Sequence, residues 1–210
     1  MFHARVLAAV DDTGRLPRPS MAYWEIFPFE TADLRVVPVV PPVLPEPARY
    51  GAGGVGCPSC EGEGDSDGDG GGGGTVWRDA HWRLRVSAQT SGVPLRLMLL
   101  SREHVDFPDL PDDRAAELGV LLVHLARAIE QLPHVARAHL SKWGDGGEHL
   151  HVFAYARPEG MRQMLGTLMP LWDDVLPPVP LDERDADARA VAEALVRSYG
   201  GEATGSRPLG

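Results

Sequence analysis

Four cysteine and histidine residues, drawn from three distant parts of the chain, most constrain how this sequence can fold. Cys57 and Cys60 form a Cys-x-x-Cys pair, His104 follows an apolar run, and His149 begins the sequence His-Leu-His. Two cysteine sulfurs at this spacing can bind one ion, and two cysteines with two histidines are a common tetrahedral set for zinc. We therefore predict a zinc site, and with it a sheet that brings the distant histidines to the cysteine segment.

The cysteine pair has other interpretations that the sequence leaves open. It could be a redox pair or two unliganded thiols, and a second ligand set would use His149 and His151 with the two cysteines. A redox Cys-x-x-Cys usually begins a helix after a strand, whereas residues 53–56 and 61–62 are glycine-rich and signal no helix. Because the chain has only two cysteines, we do not expect disulfide bonds to hold the fold together. We favour the metal site made of Cys57, Cys60, His104 and His149.

Composition limits the class of protein. The 210 residues are 43% hydrophobic and 24% charged, which fits one globular domain with tails. A formal net charge of −10 argues against binding to a nucleic acid polymer or an anionic membrane, but not against a mononucleotide. No apolar run is long enough to span a membrane, and the N-terminal apolar stretch is too short for a signal peptide. We expect a cytoplasmic protein.

Glycine, proline and acidic residues divide the chain. Residues 1–20 are predicted to be a flexible N-terminal arm, and residues 21–199 a single domain. Residues 61–75 are rich in glycine and aspartate and are predicted to be a disordered insertion. Residues 200–210 are predicted to be a disordered tail.

Hydrophobic periodicity predicts an α+β fold. Apolar residues at every second position indicate strands around Trp82–Val86 and Leu95–Leu99. Apolar residues at helical spacing predict a long helix from Asp112 to Leu132, capped by Asp112 or Asp113. Further elements are predicted as strands at 22–27, 34–40, 136–143 and 149–156, and as helices at 161–172 and from about Asp185 to Tyr199. The predicted architecture is an antiparallel sheet with the long helix packed on it. The glycine-rich residues 144–147 are predicted to join two of its strands as a hairpin.

The run His149–Pro158 carries the strongest functional signal. Side chains at positions 149, 151 and 153 share one side of a strand because side chains alternate. With the apolar strand before His104, the helix and the glycine-rich loop upstream, this run resembles the His-φ-His-φ-His-φ-φ signature of the histidine triad superfamily, where φ is apolar. The two cysteines, His104 and His149 make it most similar to the galactose-1-phosphate uridylyltransferase branch, over residues 22–172.

The resemblance implies a nucleotidyl transferase or nucleotide-phosphate hydrolase. It implies that His151 attacks an α-phosphate and forms a nucleotidyl-histidine intermediate, that the zinc is structural, and that two copies of the chain pair as a homodimer. The nucleotide and its phosphates are expected to contact a loop and the third position of the signature, which comprise Ser141, Lys142, Gly144, Gly146, Gly147 and Phe153.

One residue departs from the signature. The third position is Phe153, where hydrolases of the superfamily have histidine and the uridylyltransferases have glutamine. Phenylalanine can neither donate a hydrogen bond nor carry a proton. The alternative hypothesis is therefore a non-catalytic, zinc-stabilised module that binds a nucleotide or a protein.

Overall fold

An antiparallel sheet organises the chain in the computed structural model, which describes residues 2–17, 27–30, 32, 34–40, 43–61 and 74–204. Within these residues, six strands lie in the order β4-β5-β3-β2-β1-β6. The strands are β1 (Gly74–Arg78), β2 (Trp82–Val86), β3 (Arg96–Ser101), β4 (Val135–Ser141), β5 (His151–Pro158) and β6 (Glu202–Ala203). The predicted antiparallel sheet is confirmed.

Five α-helices accompany this sheet within the described residues. They are α1 (Phe2–Leu7), α2 (Pro58–Glu61), α3 (Asp112–Glu130), α4 (Met169–Val175) and α5 (Leu181–Ser198). Helices α3 and α5 cover one side of the sheet, since α3 packs against β4 and α5, and α5 packs against β1. Leu118, Leu121 and Leu125 are buried at helical spacing and join the main core. The predicted α+β class, with a long helix on the sheet, is confirmed.

Alternation along the strands separates a core side from an open side. Leu84, Leu99 and Val152 are buried in the main core against the helices. Arg85 pairs with Met98 and Met98 with Phe153, so these three side chains form a row across the opposite side. That side is covered at one end by a smaller apolar cluster, which contains Val93, Tyr155, Met164 and Met169.

The long helix begins differently from the prediction. Asp112 and Asp113 lie inside its first turn, where their negative charges interact favourably with the helix dipole. The N-terminal cap position is occupied by Pro111, which makes no capping hydrogen bond through its side chain. The helix ends at Glu130, before the predicted Leu132.

Two other predicted elements are wrong. Residues 34–40 form no strand, because Val37 and Val40 are both 77% exposed and Pro38 lacks an amide hydrogen. The helix predicted for 161–172 is replaced by irregular backbone, a 3-10 turn at Gly166–Leu168 and α4, with Gly166 at a φ of 58° that interrupts a helix. The strand predicted at 22–27 lies outside the described residues except for Phe27.

The predicted arm, insertion and tail are described only in part. Helix α1 lies within the arm 1–20, and residues 62–73 of the insertion and 205–210 of the tail lie outside the described residues. Glu202 and Ala203, inside the segment predicted as tail, pair with Arg78 and Trp77 of β1. The part of the chain that the structure describes contains no helix with the length and apolarity to cross a lipid bilayer.

Candidate functional site

The cysteine segment is a series of tight turns that ends in one helical turn. Gly51 has a φ of 72°, and a Cβ placed there would lie 3.1 Å from the Cβ of Cys57, so glycine allows the chain to fold back closely. The amides of Cys60 and Glu61 each donate to the carbonyl of Cys57 at 3.0 Å. Although the glycine-rich flanks signal no helix, α2 forms here, and Pro58 suits its first position. This turn brings the two sulfurs to the same side.

The two histidines meet because β3 and β5 are antiparallel neighbours. Leu100, near the end of β3, pairs with His151 at the start of β5. His104, just beyond β3, and His149, just before β5, therefore lie at the same edge of the sheet, with ring centroids 5.3 Å apart.

The donor atoms of these four residues converge. One sulfur or nitrogen atom from each of Cys57, Cys60, His104 and His149 lies within 4.8 Å of all the others. The sulfur of Cys60 is 3.4 Å from Nδ1 of His104 and 3.5 Å from Nδ1 of His149. A tetrahedral zinc with ordinary bond lengths separates sulfur and nitrogen ligands by about 3.5 Å. The four residues form a candidate metal site that fits zinc.

Hydrogen bonding prepares His149 as a ligand. Its Nε2–H donates to the carbonyl of Ser101 at 2.8 Å, so Nδ1 carries the lone pair that faces the cysteines. Burial lowers the pKa of His149, even though the hydrogen bond to Ser101 acts in the opposite direction. The imidazole is therefore neutral near pH 7, as a metal ligand must be.

The competing interpretations of the cysteine pair explain less of this geometry. A redox pair or two unliganded thiols give no reason for two imidazole Nδ1 atoms within 3.5 Å of the sulfur of Cys60. The alternative ligand set needs His151 in place of His104, but Nδ1 of His151 bonds to a backbone carbonyl at 2.7 Å. The structure brings together the set that contains His104.

His151 stands beside this site with the opposite ring nitrogen available. Its Nδ1–H donates to the carbonyl of His149 at 2.7 Å, and because a carbonyl only accepts, Nε2 keeps its lone pair. His151 is half-buried and lines a pocket of about 170 Å³ together with Tyr50, Gly147 and Phe153. An imidazole oriented in this way can act as a nucleophile toward a ligand in the pocket.

An aromatic row extends from His151 along the open side. The ring of Phe153 lies 5.5 Å from that of His151, at an interplanar angle of 87°. Trp143 packs against Phe153 at 5.5 Å and remains 44% exposed, and Tyr155 stacks on Phe153 at 6.1 Å. The third signature position therefore presents an apolar ring, without any polar atom, next to the histidine.

The glycine-rich loop contributes less to the pocket than the sequence predicts. Only Gly147 of the five predicted loop residues lines the pocket with His151. Lys142 bonds through Nζ to the carbonyl of Trp143 at 3.1 Å, and Ser141, at the end of β4, pairs with Phe153. The carbonyls of Gly144 and Gly146 accept hydrogen bonds from the segment before the cysteines.

That segment contains site residues that sequence reasoning missed. Arg49 bonds to the buried carboxylate of Asp106 at 2.6 Å and to the carbonyl of Gly144 at 3.1 Å. Burial alone would raise the pKa of Asp106, but Arg49 and the amide of Phe107 outweigh it and hold that pKa below its usual value. No spacing rule connects an arginine before the cysteines with an aspartate after His104, so this pair has no signal in the sequence.

Other missed residues were visible in the strand pattern. Ser59 lines the pocket beside the cysteines, and its carbonyl accepts a hydrogen bond from the buried guanidinium of Arg83. Met98 lies on the open side because it alternates with Leu97 and Leu99. The alternation used to find the strands therefore also identifies the open-side residues.

Solved structures with a similar fold include histidine triad proteins and a uridylyltransferase. A Zn-bound histidine triad family protein from Mycobacterium smegmatis is 16% identical with a TM-score of 0.43, covering 59% of this chain and 84% of that one. A histidine triad protein from Bradyrhizobium japonicum is 18% identical with a TM-score of 0.48, covering 59% and 90%. A uridylyltransferase mutant is 19% identical with a TM-score of 0.40, covering 59% of this chain and 43% of that one. No protein-family model and no curated protein matches the chain.

Proposed function

We propose that this chain is a nucleotidyl transferase or nucleotide-phosphate hydrolase that works through a nucleotidyl-histidine intermediate on His151. The observation that carries the proposal is the hydrogen bond from Nδ1 of His151 to the carbonyl of His149, 2.7 Å long, because in the neutral imidazole it places the lone pair on Nε2, beside a pocket. A neutral histidine without this bond would exchange between two tautomers, only one of which leaves the lone pair on Nε2.

The proposed reaction has two displacements at phosphorus. In the first, Nε2 of His151 attacks the α-phosphorus, a nitrogen–phosphorus bond forms, and the leaving group departs with the electron pair of its bond to phosphorus. In the second, water or an acceptor oxygen attacks the same phosphorus, and the pair of the nitrogen–phosphorus bond returns to Nε2. The acceptor loses its proton to solvent.

Phe153 limits which leaving groups this site can release. The ring beside His151 offers no proton, so a leaving group that needs protonation, such as an amine, departs slowly. A phosphate or sugar phosphate departs as a stable anion and needs no donor. The site therefore favours nucleoside diphosphate conjugates over nucleoside phosphoramidates.

Zinc has a structural role in this proposal. Cys57, Cys60, His104 and His149 would hold it, and four protein ligands leave no open position for substrate. Its chemistry is to fix the ligand-bearing segments, including His149, whose carbonyl orients His151. The loop residues Ser141, Lys142, Gly144, Gly146 and Gly147 are proposed to lie near the phosphates, in a cytoplasmic homodimer.

Mass spectrometry of the intact, denatured protein tests the covalent step. The zinc-loaded chain is incubated with sugar nucleotides, dinucleoside polyphosphates and nucleoside phosphoramidates, and quenched at high pH, where a phosphohistidine bond survives. We expect a nucleotide-sized adduct in the wild type and none in His151→Ala, which should also lose turnover by at least about a thousandfold. Zinc content should stay near one ion per chain in both proteins.

His134→Ala is the matched control, because His134 is exposed just before β4, beside the end of β5 remote from His151, and its ring bonds to Asp187. It should retain adduct formation and turnover. Turnover that survives in His151→Ala would contradict the proposal.

The second candidate function is a non-catalytic module that binds a nucleotide or a protein. It is favoured by Phe153, which replaces the polar group that contacts the phosphate or leaving group in the superfamily that the sequence resembles. Calorimetric binding of a nucleotide without adduct or product would support it. Hydrolysis or transfer with any member of the panel would exclude it.

A further inference from the structure

The pocket that contains His151 lies between two walls. One wall belongs to the sheet and includes His151 and Phe153 of β5 and Met98 of β3. The other wall belongs to the cysteine segment, and its lining residues are Tyr50, Cys57, Pro58 and Ser59. In a displacement at phosphorus, the attacking and leaving atoms lie roughly in line, on opposite sides of the phosphorus atom. A group displaced by Nε2 of His151 therefore departs away from β5, toward the wall formed by the cysteine segment.

Few side chains on this second wall can donate a hydrogen bond to a phosphate. Pro58 has no donor, and Cys57 belongs to the candidate metal site. The hydroxyls of Tyr50 and Ser59 remain, and Tyr50 is 67% exposed whereas Ser59 is half-buried. Among the hydrogen bonds within the described residues, none uses the hydroxyl of Ser59, so this donor is available to a ligand.

The backbone around Ser59 is held from two directions. Ser59 lies between the two cysteines in α2, where the amide of Cys60 donates to the carbonyl of Cys57 at 3.0 Å. The carbonyl of Ser59 accepts a hydrogen bond from the guanidinium of Arg83, a residue that is 3% exposed. Because these contacts fix the position of the residue, its hydroxyl needs little reorganisation to bind a ligand in the pocket.

Ser59 also lies where this pocket adjoins a second one. The second pocket has a volume of about 270 Å³. The two pockets share four lining residues, which are Pro58, Ser59, Met98 and Phe153. A sugar phosphate displaced from a nucleotide at His151 therefore has room to extend past Ser59 into the second pocket. The hydroxyl of Ser59 is positioned beside the path of this leaving group.

We propose that Ser59 is a substrate-binding residue whose hydroxyl donates a hydrogen bond to the departing phosphate, and so supplies a polar contact that Phe153 cannot. The bond between the α-phosphorus and the bridging oxygen breaks, and its electron pair stays on that oxygen. The hydroxyl keeps its proton and stabilises the negative charge that develops on the departing phosphate. This inference rests on the proposed function for the position of the α-phosphate at His151.

Calorimetry on the full, zinc-loaded chain tests this contact without any turnover. The ligands are two matched pairs, ADP with AMP and UDP with UMP, and the members of each pair differ by the second phosphate. We expect the wild type to bind the diphosphate of at least one pair about tenfold more tightly than the monophosphate. Ser59→Ala should remove most of this preference and leave the affinity for the monophosphate unchanged.

Ser59→Thr and Ser59→Val separate the hydroxyl from the shape of the side chain. Threonine and valine are similar in shape, and only threonine has a hydroxyl. Ser59→Thr should retain the preference for the diphosphate and Ser59→Val should lose it, with zinc near one ion per chain in both. This comparison decides even if Ser59→Ala is unstable. Ser198→Ala, the same substitution at an exposed position on α5, should behave as the wild type does.

Steady-state kinetics with matched substrates tests whether the contact is made to the leaving group. UDP-glucose and ADP-glucose release a sugar phosphate, whereas the p-nitrophenyl esters of UMP and AMP release a phenolate that carries no phosphate. We expect Ser59→Ala to lower kcat/KM for the diphosphate sugar about 100-fold, through both a higher KM and a lower kcat. With the p-nitrophenyl ester of the same nucleotide, kcat/KM should change by less than about threefold.

The inference is overturned if the wild type shows no preference for a diphosphate, if the preference persists in Ser59→Val, or if Tyr50→Phe rather than Ser59→Ala removes it. An equal loss of kcat/KM with both substrate types would also overturn it. A preference that depends on Ser59, without an adduct in mass spectrometry, would contradict the proposed reaction and keep the phosphate contact. An adduct in the wild type with an unchanged kcat/KM in Ser59→Ala would do the reverse.

Discussion

His149 and His151 lie two positions apart, yet the structure gives them opposite ring nitrogens to use. His149 donates from Nε2 to the carbonyl of Ser101 and turns Nδ1 to the cysteines. His151 donates from Nδ1 to the carbonyl of His149 and leaves Nε2 for the pocket. Because a backbone carbonyl fixes each tautomer, His149 suits metal binding and His151 suits the nucleophilic role proposed for it.

The residue at position 153 offers a direct test of leaving-group chemistry. We expect Phe153→His to increase the rate with a nucleoside phosphoramidate about 100-fold, because an imidazole beside His151 can protonate the departing amine. The rate with a nucleoside diphosphate sugar should change far less. Steady-state kinetics with both substrate types measures the ratio.

Phe153→Leu is the matched control, since it keeps an apolar side chain and adds no proton donor. A similar increase in the phosphoramidate rate of Phe153→Leu would contradict this prediction, and so would an equal rate increase for both substrate types in Phe153→His. Either result would show that the size of the Phe153 ring, rather than the lack of a proton donor, limits the rate of the wild type.

The ligand residues of the metal site should determine stability. Cys57→Ser or His104→Ala should remove the zinc and lower the midpoint of thermal unfolding by about 10 °C or more, because the binding energy of a structural zinc is folding energy. Chelation of the wild type should produce a similar decrease. The measurements are metal analysis and scanning calorimetry.

His139→Ala serves as a comparison, because this half-buried histidine lies on β4, away from the four ligands. It should keep one zinc per chain. A full zinc content or an unchanged midpoint in Cys57→Ser would show that these residues do not form a zinc site.

At the scale of elements, hydrogen bonds connect the cysteine segment to the loop before β5. Tyr50 donates to the carbonyl of Gly146 at 3.2 Å and accepts from the amide of Glu148 at 3.0 Å, and the side chain of Glu148 accepts from the amide of Gly53 at 3.0 Å. Arg49 adds the ion pair with Asp106. The metal-binding segment and the wall of the pocket are therefore one connected unit.

The Arg49–Asp106 pair makes a pH-dependent contribution to this unit. The pKa of Asp106 is lowered in the folded protein, so the stabilisation is complete above the ordinary aspartate value near 4 and is lost as pH falls through the lower folded value. Arg49→Met should lower the free energy of unfolding at pH 7 and make it less dependent on pH below about 4. Urea unfolding across that range provides the measurement.

Arg197→Met supplies the control, because the contact of Arg197 with Glu193 is exposed and 4.0 Å long. Its acid dependence should match the wild type. An Arg49→Met profile parallel to that of the wild type would mean that Asp106 does not titrate through this pair.

At the scale of the whole molecule, none of the described elements covers the surface beside β4. Strand β4 is at the edge of the described sheet, and α3, which packs against it, exposes Val120 by 53% and Val123 by 47%. We predict that this surface forms the homodimer, because an open strand edge and an apolar helix face are both satisfied by a second copy.

Val120→Asp should then convert a dimer into a monomer, since it buries a charge at the proposed contact. Light scattering with size-exclusion chromatography measures the mass. Val175→Asp, on α4 and equally exposed at 48%, should remain dimeric. A monomeric wild type, or a Val120→Asp dimer of undiminished stability, would contradict this prediction.

Much of the fold could be predicted because its signals are local. Alternation at Trp82–Val86 and in β3, and the helical spacing of Leu118, Leu121 and Leu125, each arise within a few residues of one element. Prediction failed at 34–40 and 161–168, where apolar residues occur but no partner element buries them in a regular way. Hydrophobic periodicity indicates which face of a helix or strand is apolar. It does not indicate whether another element of the fold packs against that face.

The sequence by itself determined the residue types of the site: two cysteines, two histidines with the chemistry of zinc ligands, and a phenylalanine two positions after His151. The tertiary structure alone decided that His104, rather than His151, completes the ligand set, which nitrogen each imidazole offers, and that Arg49 joins Asp106. It also placed Arg85 and Arg96 in a second pocket, which shares Phe153 with the pocket that contains His151. These properties depend on distances between segments far apart in the chain, which only the pairing of β3 with β2 and β5 establishes.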